Sequence, residues 1–231
     1  MNESLQTQYG GAYGSGLTVD RQRVLRNTYW LLALSMVPTV LGAWLGVATG
    51  IMASMGMGMS MIVFFVGAFG LMFLVEKTKN SSTGVIALLA FTFFMGLMLS
   101  RLIGAILGFK NGASLIMMAF GGTGAIFFAM ASLATVIKRD LSSMGKFLFV
   151  GAIILLVAGI ANVFLQSSAL MLTIMVLAMA VFSAFMLYDI KRVLDGGETN
   201  YISATLAIYL DIYNVFQSLL SLLGIFGGER D

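Results

Sequence analysis

Residues 200–226 read NYISATLAIYLDIYNVFQSLLSLLGIF. The stretch is apolar and long enough to cross a bilayer, since a spanning helix needs about 20 residues at about 1.5 Å rise each. It nevertheless carries Asp211 well inside. A carboxylate at membrane depth costs on the order of 2.5–3.5 kcal/mol, so it has to face protein or water. At helical spacing Asn214, Ser218 and Ser221 fall on the same face as Asp211. The opposite face is Leu, Ile, Val and Phe. One polar stripe on an otherwise greasy helix predicts a buried helix with its stripe turned inward.

Composition extends this reading to the whole chain. Its 231 residues are 59% hydrophobic and only 10% charged, against about 25% charged in soluble domains. The class predicted is all-α integral membrane. With no cysteine or histidine, disulfides, Cys/His zinc sites and histidine switches are excluded. Any proton sensing near neutrality has to come from carboxylates. The net charge of +3 is small and lies in loops. It reads as a topology signal, not as nucleic-acid binding.

Residues 1–26 begin polar and rich in Gly, Ser and Gln, then carry Arg21, Arg23 and Arg26. They are expected to form a flexible cytoplasmic tail that stays attached, because no signal-peptide pattern stands out. Seven apolar segments follow, at about 27–50, 60–76, 84–102, 113–137, 146–165, 169–191 and 202–226. Together they make a transmembrane domain over 27–226, and 227–231 make a short tail. Pro38 should kink the first span. Gly42-x-x-x-Gly46 and Gly104-x-x-x-Gly108 should allow close helix approach.

Loop charge sets the orientation. One side holds Arg21, Arg23, Arg26, Lys77, Lys79, Lys138, Arg139, Lys146, Lys191 and Arg192, and the other only Arg101, Lys110 and Arg230. The N-terminus is therefore expected in the cytoplasm. With seven spans, the C-terminus lies outside.

A pair of aspartates is the leading candidate for chemistry. Asp189 sits near the cytoplasmic end of the sixth span and Asp211 in the cytoplasmic half of the seventh. The short connection Asp195-Gly-Gly-Glu-Thr-Asn makes the two helices antiparallel neighbours. Gly196 and Gly197 suit a helix C-cap, and Thr199 or Asn200 the next N-cap. Two close carboxylates in low dielectric cannot easily both ionise, and they titrate as a unit. A shared proton would tie the helices together; losing it would leave two repelling charges or a cation site. This is a pH-sensitive latch. The alternative is an interfacial, solvated Asp189 beside a protonated, structural Asp211.

Other constellations are weaker. Intramembrane aspartyl proteases also use two aspartates on adjacent spans, and Tyr188-Asp189 fits one half of their pattern. No Gly-x-Gly precedes Asp211, and the single proline is far away. Met52, Met55, Met57, Met59 and Met61 offer soft thioethers for Cu(I), but without Cys or His they read as interfacial filler. Asn162 and Asn214 could bond across helices or line a water path. Tyr201, Tyr209 and Tyr213 could position the aspartates. Lys77, beside Glu76, is a candidate counter-ion, with a snorkelling lysine as the simpler reading.

The run GGETNYISATLAIYLDIYNVFQSLLSLLG, with VLRNTYWLLALSM in the first span and LMFLVEKT ending the second, resembles the Bax inhibitor-1 family of seven-span proteins. The resemblance covers the chain after residue 20. It is nearest to the bacterial branch containing an inner-membrane modulator of the FtsH protease. It implies a central seventh helix ringed by six others and a location in the bacterial inner membrane. It also implies a calcium leak gated by two aspartates on the last two spans, which Asp189 and Asp211 match. Lys77 is carried over as the basic partner from the second span. Calcium prefers six to eight oxygens, so two aspartates fit transient passage better than storage. No catalysis and no cofactor are expected. The partners implied are the lipid bilayer, the FtsH complex and Ca2+. Separately from the resemblance, the polar N-terminal tail could serve as the handle a protease grips.

Overall fold

A computed structural model describes residues 3–229, with side chains from Asp20 onward. The described residues are helical throughout, without strands. The helices are α1 (Glu3–Thr49), the short α2 (Ile51–Ser54), α3 (Met57–Thr78), α4 (Ser82–Leu107), α5 (Gly112–Val136), α6 (Ser142–Leu165), α7 (Ser168–Leu194) and α8 (Tyr201–Gly227). Seven are long and apolar enough to cross a membrane: residues 20–49 of α1, and all of α3 to α8. The boundary expected at residue 26 falls inside α1. The side chains of residues 1–19, where most of the polar tail lies, are outside the described part, as are Arg230 and Asp231.

The expected spans match these helices within a few residues, except at the start of the first, expected at 27 where the membrane-spanning part of α1 begins at Asp20, and at the end of the third. The third was expected to stop at 102, before the loop, yet α4 runs on to Leu107. Arg101 does not end it because its long side chain reaches sideways. Its Nη1 donates to the Met55 carbonyl at 3.4 Å and to Ser60 Oγ at 3.3 Å. The helix α1 continues through Pro38. Beside it, Thr39 Oγ1 donates to the Ser35 carbonyl at 2.8 Å.

In a bilayer, helices associate through close packing and interhelical hydrogen bonds, because lipid tails are as apolar as leucine. The most extensive pairing is α1 with α4, and glycines explain it. A Cβ on Gly96 would sit 2.0 Å from the Thr39 carbonyl oxygen, and one on Gly42 would sit 2.1 Å from that of Phe93. Gly46 similarly faces Ser100, so the first small-residue motif works as expected. The second does not. Gly104 meets nothing within 4 Å, and Gly108 meets only the Ala105 carbonyl of its own turn. That spacing occurs by chance on a lipid-facing surface.

The helix α8 packs against α7, α5, α1, α4 and, at its start, α3. Its buried side chains include Ile202, Leu206, Ile208, Val215 and Leu220 together with Thr205, Asp211 and Ser218. The helix α6 makes its extended contact with α7, leaving most of its apolar surface exposed.

Candidate functional site

The site is built where α7 ends and α8 begins. Gly196 has φ 80, a left-handed conformation that glycine adopts without strain. It lets Gly196 N donate to the Val193 carbonyl and Gly197 N to that of Arg192, at 3.1 and 2.8 Å. These bonds close α7 in the Schellman manner. Asn200 then caps α8, its Oδ1 accepting from Ile202 N at 2.9 Å and Ser203 N at 3.2 Å. Of the two N-cap candidates, Asn200 is the one used. Its Nδ2 also donates to the Lys79 carbonyl at 3.0 Å and to Asn80 Oδ1 at 2.9 Å. One side chain therefore caps a helix and fastens the α3–α4 turn to it.

This short junction makes α7 and α8 antiparallel neighbours and sets Asp189 against Asp211. The two carboxyl groups lie within hydrogen-bonding reach of each other. Asp211 is only 4% exposed, and its Oδ2 has no hydrogen-bond partner among the described residues. Asp189 is half-buried and feels Arg192 and Glu198, which pair with each other at 3.5 Å. With one proton between them, one carboxyl donates to the other. With none, both are acceptors and repel.

The supporting residues divide. Asn214, Ser218 and Ser221 lie on the Asp211 side and line a cleft of about 790 Å³ between α6, α7 and α8. Asn162 lines it from α6, while its Oδ1 accepts from Ser167 N at 3.0 Å. Tyr209 and Tyr213 do not reach the aspartates. Two residues to either side of Asp211, they point to the opposite face of α8. The Tyr209 hydroxyl lies 2.9 Å from Thr39 Oγ1, and that of Tyr213 donates to the Met95 carbonyl at 3.3 Å. They tie α8 to α1 and α4. Lys77 is exposed.

From α3 the residue that reaches α8 is Glu76. Its Oε1 accepts from Ser203 Oγ at 2.8 Å and its Oε2 from Lys79 at 2.7 Å. Sequence reasoning passed over Ser203 and the bridging reach of Asn200. Neither carries a local signal, because both bonds join residues about 120 positions apart. Of Met52, Met55, Met57, Met59 and Met61, Met52 is buried and Met55 accepts the Arg101 Nη1 bond at its backbone carbonyl. No group of three or more His, Cys, Asp or Glu able to hold a metal occurs among the described residues.

The sequence is similar along most of its length to known membrane proteins. The sequence model described as "Inhibitor of apoptosis-promoting Bax1" matches residues 21–228. An "Uncharacterized membrane protein" of Vibrio cholerae is 40% identical over 212 residues, covering 90% of this chain and 92% of the relative. The "Modulator of FtsH protease YccA" of Escherichia coli K12 is 39% identical over 206 residues, covering 89% and 91%. An uncharacterized protein of Campylobacter jejuni is 32% identical over 206 residues, covering 89% of each. The chain belongs to the Bax inhibitor-1 family.

Proposed function

We propose that this protein is a multi-pass inner-membrane modulator of the FtsH protease, with the Asp189–Asp211 pair as its pH-sensitive latch. The likeness along about nine-tenths of both chains to a relative named as such a modulator carries the reading. In this reading α8 is the central helix ringed by the other six spans. The N-terminus lies in the cytoplasm, where FtsH can grip it, and the C-terminus lies outside. The protein acts by binding, not by catalysis.

The latch follows from the contact between the carboxyls. When the shared proton leaves, Asp211 keeps no partner to offset its charge. Separating α7 from α8 then relieves the repulsion, with Arg192 and Glu198 the charged groups facing the pair from the α7 end. Degradation of a membrane substrate by FtsH in proteoliposomes, with and without this protein, tests the modulator reading. Slower degradation is expected, and an unchanged rate contradicts it.

A calcium leak is the second reading, favoured by the unpartnered Asp211 Oδ2, one turn along α8 from Asn214, which lines the cleft with Ser218 and Ser221. Two carboxylates make a site through which Ca2+ passes without being held. Calcium flux into proteoliposomes should vary with pH and change in both Asp189→Asn and Asp211→Asn. Flux absent at every pH removes this reading and leaves the modulator reading standing.

A further inference from the structure

The polar stripe of α8 does not end at Asp211. Asn214, Gln217, Ser218 and Ser221 continue it over two turns, along the cleft between α6 and α8. By helical rise Gln217 lies about 24 Å along a helix of about 40 Å, near mid-membrane. It is exposed and makes no hydrogen bond among the described residues. Ser218 is 8% exposed and lines the cleft, and its hydroxyl, like that of Ser221, has no partner among the described residues. Asn214 uses only Nδ2, on the Leu210 carbonyl of its own helix at 2.8 Å.

Lipid tails cannot satisfy these groups. The wall supplied by α6 and α7 adds small residues, Gly159 and Ala178, and a Cβ on Gly159 would meet nothing within 4 Å. Small residues that admit a backbone, facing hydroxyl and amide groups at i, i+3, i+4 and i+7, are what transmembrane helices use to bind one another. Phe182, which stacks on Phe185, is the lining residue of α7 nearest in sequence to Asp189. An occupant would therefore sit against the turn of α8 next to the latch.

We propose that this cleft is a docking groove for a transmembrane helix of the FtsH protease, held by hydrogen bonds to Asn214, Gln217, Ser218 and Ser221. It rests on the modulator reading and names the surface through which modulation occurs. Occupancy of the groove fixes α8 one turn from Asp211, which couples partner binding to the latch.

The chain has no native cysteine, so single-cysteine variants carry a photo-crosslinker without background. Gln217→Cys and Ser221→Cys, labelled with a benzophenone maleimide, are compared with Phe69→Cys on α3 and Phe128→Cys on α5, both lipid-exposed. All are reconstituted with FtsH. Crosslinks to FtsH are expected at 217 and 221 and not at 69 or 128. Gln217→Leu should weaken inhibition by about threefold, the worth of one interhelical polar contact, while Gln217→Asn retains it. Inhibition with crosslinks equal at all four sites, or only at 69 and 128, overturns the groove and leaves the modulator reading intact. Crosslinks only to a second copy of this chain overturn it likewise. A parent chain that does not inhibit FtsH overturns both.

Discussion

Two spans of similar length, α6 and α8, use their surfaces in opposite ways. The helix α6 is the most apolar of the seven spans and the least buried, with 6% of its central window inside the protein. The helix α8 is the least apolar, yet 44% of its window is buried, level with α4. In water the order would be reversed. Lipid already solvates leucine and phenylalanine, so polar groups are what need protein around them. In this fold, polarity marks the inside and greasiness the outside.

Substituting glycines tests that difference at its largest. Gly96→Ala drives a methyl group into the Thr39 carbonyl of a neighbouring backbone and should destabilise by about 2–3 kcal/mol. Gly159→Ala on α6 meets open space and should be neutral, or stabilising by up to about 1 kcal/mol through helix propensity. Unfolding in detergent micelles reads both. Equal losses would break the distinction between a packed interior and a lipid-facing α6.

Capping comes next. Asn200→Ala removes the cap of α8 and its hold on the α3–α4 turn, and should cost about 1–2 kcal/mol. Hydrogen exchange of the first turn of α8 should quicken with it. Smaller again is Tyr209→Phe, which loses the bond to Thr39 and should cost about 1 kcal/mol in the same assay. A larger loss than for Asn200→Ala would place the main polar tie of α8 on its tyrosine face.

The smallest effect lies at the start of α6. Hydrogen bonds from Ser142 N and Oγ hold the Asp140 carboxyl below its ordinary value of 3.8. A depressed carboxylate stabilises above its unfolded-state value, and that stability is lost as pH falls through the lower folded value. Asp140→Ala should therefore lower the melting temperature slightly at neutral pH and not at all in strong acid. A loss that persists in strong acid would contradict the assignment.

Much of this arrangement is legible in the sequence, because lipid imposes length and polarity on every span. The seven spans follow from apolar run length. The turn at Gly196 and the cap at Asn200 follow from residue type, and the Asp189–Asp211 contact from one short connection between two helices. What escapes is rotation and reach. Tyr209 and Tyr213 sit close to Asp211 in sequence yet face the other way, bonded to α1 and α4, so nearness along the chain misleads. Lys77 and Glu76 are neighbours, and only packing decides that Glu76 meets Ser203 while Lys77 faces outward. Gly104-x-x-x-Gly108 has the spacing of a packing motif without a partner to use it.

The most direct test of the latch is infrared difference spectroscopy of the reconstituted protein, titrated from acid to alkaline pH. The account predicts one protonated-carboxyl band that disappears as the shared proton leaves and is shifted or lost in both Asp189→Asn and Asp211→Asn. A band unaffected by Asp189→Asn, or none that titrates, would contradict it and leave Asp211 a structural residue of α8.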